Sequence, residues 1–401
     1  MSLRFTLPTA LLLAAAPTAL AQDGTLTNAQ LQKQVEVLFQ ELNDLKGGEA
    51  ASNDASRFSF GGYGEYHFNL PENGDKLADA HRFVFYMGYE FADGIMLHSE
   101  TEIEHGFVAD DNGEVAIEQL YVDFETGERS GIQIGRMLAP LGIINQRHEP
   151  SIFNGVERPS FAKYILPSTW SLDGIGYWSQ ITENLTGMIY LTGSLDGSGF
   201  SDTGGIRGGR MKERPGLDNP AVSGRLDWRP DGIEGLRLGG SFFSGSADNS
   251  NKGGEIGVDS QVDILSFDFE YSAGDFDFRG VFAEDRVSNA DDLNVAFSNN
   301  VADKMSGYYV EAAYHLMPDS WRSDRLRDSD LVAFVRYEDF DTQADLGSAV
   351  KNLAAAREET TIGLGYWLTP DLVLKADYQF LDDDTGSRDN QLNFGIGWTL
   401  R

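Results

Sequence analysis

The sequence predicts an all-β protein, a 16-stranded antiparallel transmembrane β-barrel preceded by a short N-terminal coiled-coil helix. Sixteen segments of about ten residues alternate apolar and polar side chains, the period of a strand with one apolar face. With one exception, the connections between these segments are alternately short and long. After the N-terminal leader, no stretch approaches the ~18 consecutive apolar residues of a membrane-spanning helix.

The N-terminus has the form of a secretory signal peptide. It carries one positive charge at Arg4, then an apolar run and the small-x-small site Ala19-Leu20-Ala21, so we expect cleavage of residues 1–21. The chain has 31 basic and 63 acidic residues and no cysteine. This composition excludes nucleic-acid binding through a basic surface, a disulfide framework and cysteine-based chemistry.

Residues 22–57 predict a periplasmic heptad helix followed by a linker rich in Gly, Ala and Ser. Apolar residues are spaced alternately by four and three positions, as in a coiled-coil seam: Leu31, Val35, Leu38, Leu42 and Leu45. Two interpretations stay open. Either helices from several barrels associate, or a single helix docks on its own barrel.

Residues 58–401 predict the barrel itself. In HRFVFYMGYEF, for example, Phe83, Phe85 and Met87 share one face, while Arg82 and Tyr86 share the other. The predicted strands are 58–69, 81–92, 95–106, 114–125, 131–137, 174–181, 185–194, 221–229, 235–244, 262–272, 275–285, 306–317, 330–340, 358–368, 372–381 and 390–400. The parity of short turns and long loops is typical of membrane barrels, and a soluble β-sandwich has no reason to keep it.

The third long connection, residues 138–173, is the longest and contains four prolines. A structureless segment of this length is uncommon unless it is functional. We therefore predict a stiff, packed loop that folds into the lumen and forms a constriction.

The strand faces turned away from lipid are charged, so we expect water to reach them. The predicted lumen-wall residues are Arg82, Arg136, Glu100, Glu102, Arg225, Arg229 and Arg336. In HSETEIEH, His98, Glu100, Glu102 and Glu104 lie on one face at about 7 Å spacing, too wide for shared metal ligation along one strand. We interpret them as a solvated acidic stripe and expect no metal site and no cofactor.

Two segments resemble bacterial outer-membrane porins, in particular the phosphate-selective porins O and P and their relatives. They are FGGYGEYHFN at 60–69 and GRMLAPLGIINQRHEPSIFNGVERPSFAKYILPSTWSLDGIGY at 135–177. The heptad helix in front of the barrel is similar to that of the trimeric dicarboxylate-associated porins. The resemblance implies a sixteen-stranded homotrimeric porin whose third outer loop folds into the lumen.

Two features depart from the pattern of these families. The chain is acidic and shows no dense basic cluster, so we assign no phosphate selectivity. Its last strand ends on Leu400 and Arg401 instead of the aromatic residue that often closes such barrels.

We therefore expect a passive diffusion channel of the bacterial outer membrane for small hydrophilic, charged solutes, in contact with lipid and lipopolysaccharide. The predicted constriction residues are Arg147, Glu149, Glu157, Arg158 and Lys163. Glu157 and Arg158 have a second interpretation, as anchors of the loop. The sequence shows no hydrolase, metalloprotease or phosphate-loop motif, so we expect no enzyme. An outer-membrane enzyme and a non-conducting structural or adhesive barrel remain the alternatives.

Overall fold

The computed structural model describes residues 57–109 and 112–401. Sixteen strands account for most of them. They are β1 (Phe58–Pro71), β2 (Leu77–Ala92), β3 (Ile95–Ala109), β4 (Asn112–Gly127), β5 (Ser130–Leu138), β6 (Ser171–Gln180), β7 (Leu185–Gly193), β8 (Pro220–Trp228), β9 (Leu236–Ser246), β10 (Gln261–Ala273), β11 (Phe276–Ser288), β12 (Lys304–His315), β13 (Asp330–Asp345), β14 (Ala356–Thr369), β15 (Leu372–Asp383) and β16 (Gln391–Leu400). The predicted signal peptide, heptad helix and linker lie outside the described residues, except for position 57.

The strands form one closed antiparallel barrel. Each pairs with its neighbours in sequence, and β1 also pairs with β16, from Gly62 opposite Leu400 to Pro71 opposite Gln391. In the described part of the chain each strand has a partner on both sides, which is the condition for a sheet to cross a bilayer. The predicted sixteen-stranded barrel is confirmed.

Most strands run further than predicted at the rim that carries the long loops, which we call the long-loop end. β13, for example, continues to Asp345 instead of stopping at residue 340. Its outward residues there include Asp339 and Asp341. Pairing therefore continues beyond the apolar belt, where the alternation that marks the strands in sequence fades.

The outer surface carries a continuous apolar belt. Exposed phenylalanine, leucine, isoleucine and valine side chains occur on every face of the barrel, for example Phe85, Ile189, Phe267 and Leu364. Such a surface is stable only in contact with lipid. Among the described residues, no helix is both long and apolar enough to cross a membrane.

Two long connections fill much of the lumen. L3 (residues 139–170) contains helix α1 (Phe161–Tyr164), and L4 (residues 194–219) contains two single 3-10 turns. In the sixth long connection, helix α2 (Ala290–Phe297) packs on the same core through Leu293. The core joins both loops to the inner faces of β8–β13: Leu141, Phe161, Ile165, Trp170, Leu195, Phe200, Ile206, Phe243, Val262, Ile264, Val281, Tyr309 and Phe340.

This core corrects the expectation that the whole lumen face is charged. Near the long-loop end of β10 and β11 most inward residues are apolar, for example Val262 and Val287, and they are covered by the loops. Charged inward residues such as Asp268 and Arg279 lie nearer the short turns. Strand period shows which residues point inward, but it does not show which of them a loop will cover.

Candidate functional site

Arginines of the barrel wall hold the backbone of L3. Arg82 donates from Nη2 to the carbonyl oxygen of His148 at 2.6 Å, and Arg225 donates from Nη1 to that of Gly142 at 2.8 Å. Both arginines are buried and paired with wall carboxylates, Arg82 with Glu65 among them. Removing one partner of a buried ion pair strongly destabilises a protein, so the wall carboxylates keep these arginines in place. The fixed arginines in turn hold the backbone of L3 through its carbonyl oxygens.

A second group of wall cations binds the middle of L3. The Nζ of Lys375 donates to the carbonyl oxygens of Phe153 at 2.6 Å and Gly155 at 2.8 Å. Arg336 Nη1 lies 3.5 Å from the carbonyl oxygen of Glu157. Three of the predicted wall residues, Arg82, Arg225 and Arg336, thus contact L3 and are closed off from the open lumen.

Wall carboxylates complete this attachment by accepting from L3. Asp377 accepts from the backbone N–H of Val156 at 2.5 Å, and Glu338 accepts from that of Phe161 at 2.8 Å. The charges of the wall therefore satisfy polar backbone groups that a folded-in loop would otherwise bury without partners.

The other two wall arginines are placed differently. Arg136 is paired with Asp173 at 2.9 Å and donates to the carbonyl oxygen of Lys212 at 2.9 Å, so it links β5 to L4. The prediction that Arg229 lines the lumen is wrong. It lies beyond the end of β8, exposed at a short turn, because the strand pairing stops at Trp228.

Two of the predicted constriction residues are paired. Arg147 forms an ion pair with Glu270 of β10 at 2.9 Å. Glu157 accepts from His67 Nδ1 and Asn69 Nδ2, each at 3.0 Å. Glu157 therefore anchors L3 to β1, in agreement with the second interpretation made from the sequence.

The other three constriction residues have no ion-pair partner within residues 57–109 and 112–401. Arg158 donates to Ser168 Oγ at 3.2 Å, within L3. Lys163 is exposed, with its Nζ 5.4 Å from the ring centre of Tyr164. One carboxylate oxygen of Glu149 is buried and lacks a hydrogen bond in this part of the chain.

The acidic stripe on β3 is only partly solvated. Glu100 and Glu102 are buried, whereas His98 and Glu104 are half-buried. Glu100 accepts from Gln119 Nε2 at 2.5 Å. The expectation of a solvated stripe is wrong for the two middle glutamates, because L3 covers them.

L4 supplies cations that the sequence analysis missed. The segment IRGGRMKER at 206–214 holds Arg207, Arg210, Lys212 and Arg214, so the expectation of no dense basic cluster is also wrong. The signal was visible in the sequence, since no other stretch of this acidic chain concentrates so much positive charge without matching acidic residues.

Arg207 and Arg210 lie against L3. Arg210 donates from Nη1 to the carbonyl and hydroxyl oxygens of Thr169, each at 3.0 Å. Arg207 donates from Nη1 to the carbonyl oxygen of Lys163 at 3.3 Å. In the described chain these two arginines and Arg158 have no carboxylate at ion-pair distance, so we call the three the cation cluster.

Two members of the cation cluster face acidic residues across a cavity of about 450 Å³ at the long-loop end, the outer cavity. Arg207 and Arg210 line one side, and glutamates of β3 and β4 line the other: Glu102, Glu104, Glu114 and Glu118. Beyond Glu100 and His148 lie two further cavities, of about 290 and 570 Å³, which share Gln119, Tyr121, Leu138 and Gln146. The three cavities thus lie along the inner faces of β3 to β7, on both sides of L3.

The electrostatics of the cation cluster favour an anion. Burial lowers the pKa of Arg210, and the neighbouring charges of Arg207 and Arg158 lower it further. Burial and the charge of Arg158 likewise lower the pKa of Arg207. Because the guanidinium groups repel one another and carry few compensating charges, a negative solute group between them would be stabilised.

No family model matches the sequence. An uncharacterised protein of Aquifex aeolicus (strain VF5) is 30% identical over 357 residues, which cover 83% of this chain and 78% of that protein. The match covers more than two thirds of both chains and is therefore a family relationship.

Solved structures with a similar fold include bacterial outer-membrane porins. OmpF of Salmonella typhi matches with a TM-score of 0.57 and 15% identity, covering 86% of this chain and 98% of that one. The anion-selective porin of Comamonas acidovorans matches with a TM-score of 0.53 and 12% identity, covering 85% and 99%. The chain belongs to the same family as the Aquifex protein, and its fold is that of the bacterial outer-membrane porins.

Proposed function

We propose that the protein is a passive diffusion channel for small hydrophilic solutes and that its outer cavity favours anions. The observation that carries this proposal is the cation cluster, of which Arg207 and Arg210 line the outer cavity opposite glutamates of β3 and β4, with Arg158 close behind them. Positive groups on one side and negative groups on the other set up a field across the path of a solute.

The net charge of −32 does not contradict this preference. Exposed charges are screened over about 8 Å at physiological ionic strength, whereas partly buried groups in a narrow cavity are screened much less. Local charge in the outer cavity therefore outweighs the charge of the outer loops. The likeness in fold to an anion-selective porin agrees with this assignment.

We propose in addition that the barrel is a homotrimer. The heptad pattern of residues 31–45 supplies a seam through which chains can associate. An apolar groove on the lipid-facing side, lined among others by Tyr177, Leu226 and Phe267, offers a surface on which a second barrel can pack. Cross-linking in mild detergent, followed by gel electrophoresis, should give a ladder that ends at three chains. A ladder that ends at one or two chains would contradict the trimer.

Planar-bilayer recording tests the channel. Purified protein should give stepwise conductance and a reversal potential, in a salt gradient, that corresponds to anion preference. The triple variant Arg158→Gln, Arg207→Gln, Arg210→Gln should lower the anion-to-cation permeability ratio about fivefold, which corresponds to about 1 kcal/mol.

The matched control removes the same charge from exposed positions: Arg286→Gln, Arg325→Gln and Arg327→Gln. It should leave the permeability ratio unchanged. Absence of conductance at every voltage would contradict the channel. If the two triple variants had the same anion-to-cation permeability ratio, the cation cluster would not lie on the solute path.

A further inference from the structure

Three of the six histidines of the chain lie side by side at the inner face of the barrel. His67 of β1 and His81 of β2 are stacked with ring centres 4.4 Å apart, and His105 of β3 lies edge-on to His81 at 5.9 Å. All three belong to the long-loop ends of their strands. His67 also binds Glu157 of L3, whereas His81 and His105 take no part in the anchoring of L3 or in the cation cluster described above.

Two irregularities of the sheet bring these histidines together. The pairing of β1 with β2 shifts between Glu65 opposite Arg82 and His67 opposite Asp79, so β2 carries one extra residue there. His105 has a left-handed backbone with φ of 62°, where the pairing of β3 with β4 is interrupted. For a non-glycine residue this conformation costs about 1–2 kcal/mol. Irregularities of this kind re-aim side chains next to functional sites.

The re-aimed side chains converge on one carboxylate. His81 Nδ1 lies 3.1 Å from Asp79 Oδ2, and His105 Nδ1 lies 2.9 Å from the same oxygen. Ligands at about 2.0–2.1 Å from a tetrahedral zinc ion are about 3.3 Å apart. Both nitrogen-to-oxygen distances are close to this value, and the three donor atoms all lie within 4.8 Å of one another.

The type of donor decides which ion would bind. Two imidazole nitrogens and one carboxylate oxygen suit first-row transition metals, whereas Ca²⁺ and Mg²⁺ prefer all-oxygen sites. Asp79 and His81 are half-buried, and the His105 side chain is 47% exposed, so a fourth position is open to water. Glu104, which precedes His105, adds negative charge that attracts a cation.

We propose that Asp79, His81 and His105 bind a divalent transition-metal ion such as Zn²⁺. His67 is a positioning residue for this site. Its ring stacks on His81 and is fixed between Glu65, at 3.1 Å from Nε2, and Glu157, at 3.0 Å from Nδ1. Because Glu157 belongs to L3, His67 connects the metal site to the constriction loop.

Titration of untagged, full-length protein in detergent with Zn²⁺ tests this site by calorimetry. The wild-type chain should bind one ion per chain with micromolar affinity, and Co²⁺ in its place should give the visible absorption of a four-coordinate site. His105→Gln and Asp79→Asn should each weaken binding by at least about tenfold. His98→Gln on the same strand, whose ring stacks on Tyr121, is the matched control and should bind as the wild type does.

The heat-induced mobility shift of folded barrels on gels shows that each variant is folded. In wild-type protein, Zn²⁺ should in addition protect His105 from a histidine-specific acylating reagent, a readout that needs no variant. No stoichiometric binding by the wild type, equal affinity in His105→Gln, or acylation of His105 unaffected by Zn²⁺ would each overturn the proposal.

Discussion

Lys375 holds Phe153 in two ways. Its Nζ donates to the Phe153 carbonyl oxygen at 2.6 Å and also lies 3.9 Å from the centre of the Phe153 ring. The ammonium group is buried, and it accounts for much of the attachment between β15 and the middle of L3. The sequence identifies Lys375 only as an inward-facing residue. In the structure it fixes the position of L3 and thereby the shape of the lumen.

Replacing Lys375 by methionine should loosen L3. The change removes a cation that satisfies two carbonyl oxygens, and hydrogen bonds to charged groups contribute about 1.5–3 kcal/mol each. We expect the midpoint of thermal unfolding, measured by the gel-mobility shift, to fall and open-channel current noise to rise. The exposed Lys252→Met should change neither quantity. Identical noise in Lys375→Met and wild type would show that the attachment is unnecessary.

Gly155 lies where L3 packs closely both on itself and on Arg336 of the wall. A Cβ built there would lie 2.8 Å from the carbonyl oxygen of Glu157 and 3.1 Å from Arg336 Nη1. Gly155→Ala should therefore displace the loop and change single-channel conductance.

Gly240→Ala is the matched control, because its Cβ would meet no atom closer than 3.8 Å. Its conductance should equal that of the wild type. If Gly155→Ala also conducted normally, the close approach would have no influence on the width of the channel.

His148 should make the attachment of L3 dependent on pH. Burial opposes its charge, but Glu118, with a carboxylate oxygen 3.1 Å from Nε2, outweighs burial and raises the pKa. Glu100 also raises the pKa, the charge of Arg82 lowers it, and the ring of Tyr63 covers the imidazole edge-on. The charged form therefore stabilises the docked loop fully below about pH 6.5, and this contribution is lost as pH rises through the raised pKa.

We expect current noise to increase reversibly when the pH is raised from 6 to 9 or above in bilayer recordings. His148→Gln should show high noise at every pH, since glutamine does not titrate. A wild-type channel whose noise is constant over this interval would contradict the role of the imidazolium.

The acidic side of the outer cavity should oppose the cation cluster. Glu104→Gln combined with Glu114→Gln removes two carboxylates from that side, so the anion-to-cation permeability ratio should rise, by about twofold or more. Reversal potentials in a salt gradient measure it. Glu183→Gln, exposed at a short turn, should leave the ratio as it is. A fall in the ratio of the double variant would reverse the proposed direction of the field.

The sequence by itself determined the barrel. Strand period and the parity of short and long connections are local properties, and they were sufficient for sixteen strands and for which residues face inward. They also singled out L3, because prolines and the loss of alternation are visible in the chain without any partner.

Only the tertiary structure decided what the inward residues do. Arg82, Arg225 and Arg336 read as lumen charges, but each meets an L3 carbonyl oxygen from a distant part of the chain. Such pairings depend on how a loop packs across the barrel, which no local pattern encodes.

The same reason explains the cation cluster and the histidines. Arg207 and Arg210 reach Arg158 only because L4 packs beside L3. His81 and His105 meet at Asp79 only because two irregularities turn them out of the strand period. Alternation fixes the face of a residue within a regular strand. The positions where the strand is irregular, and the loops that cover it, are set by contacts between segments far apart in sequence.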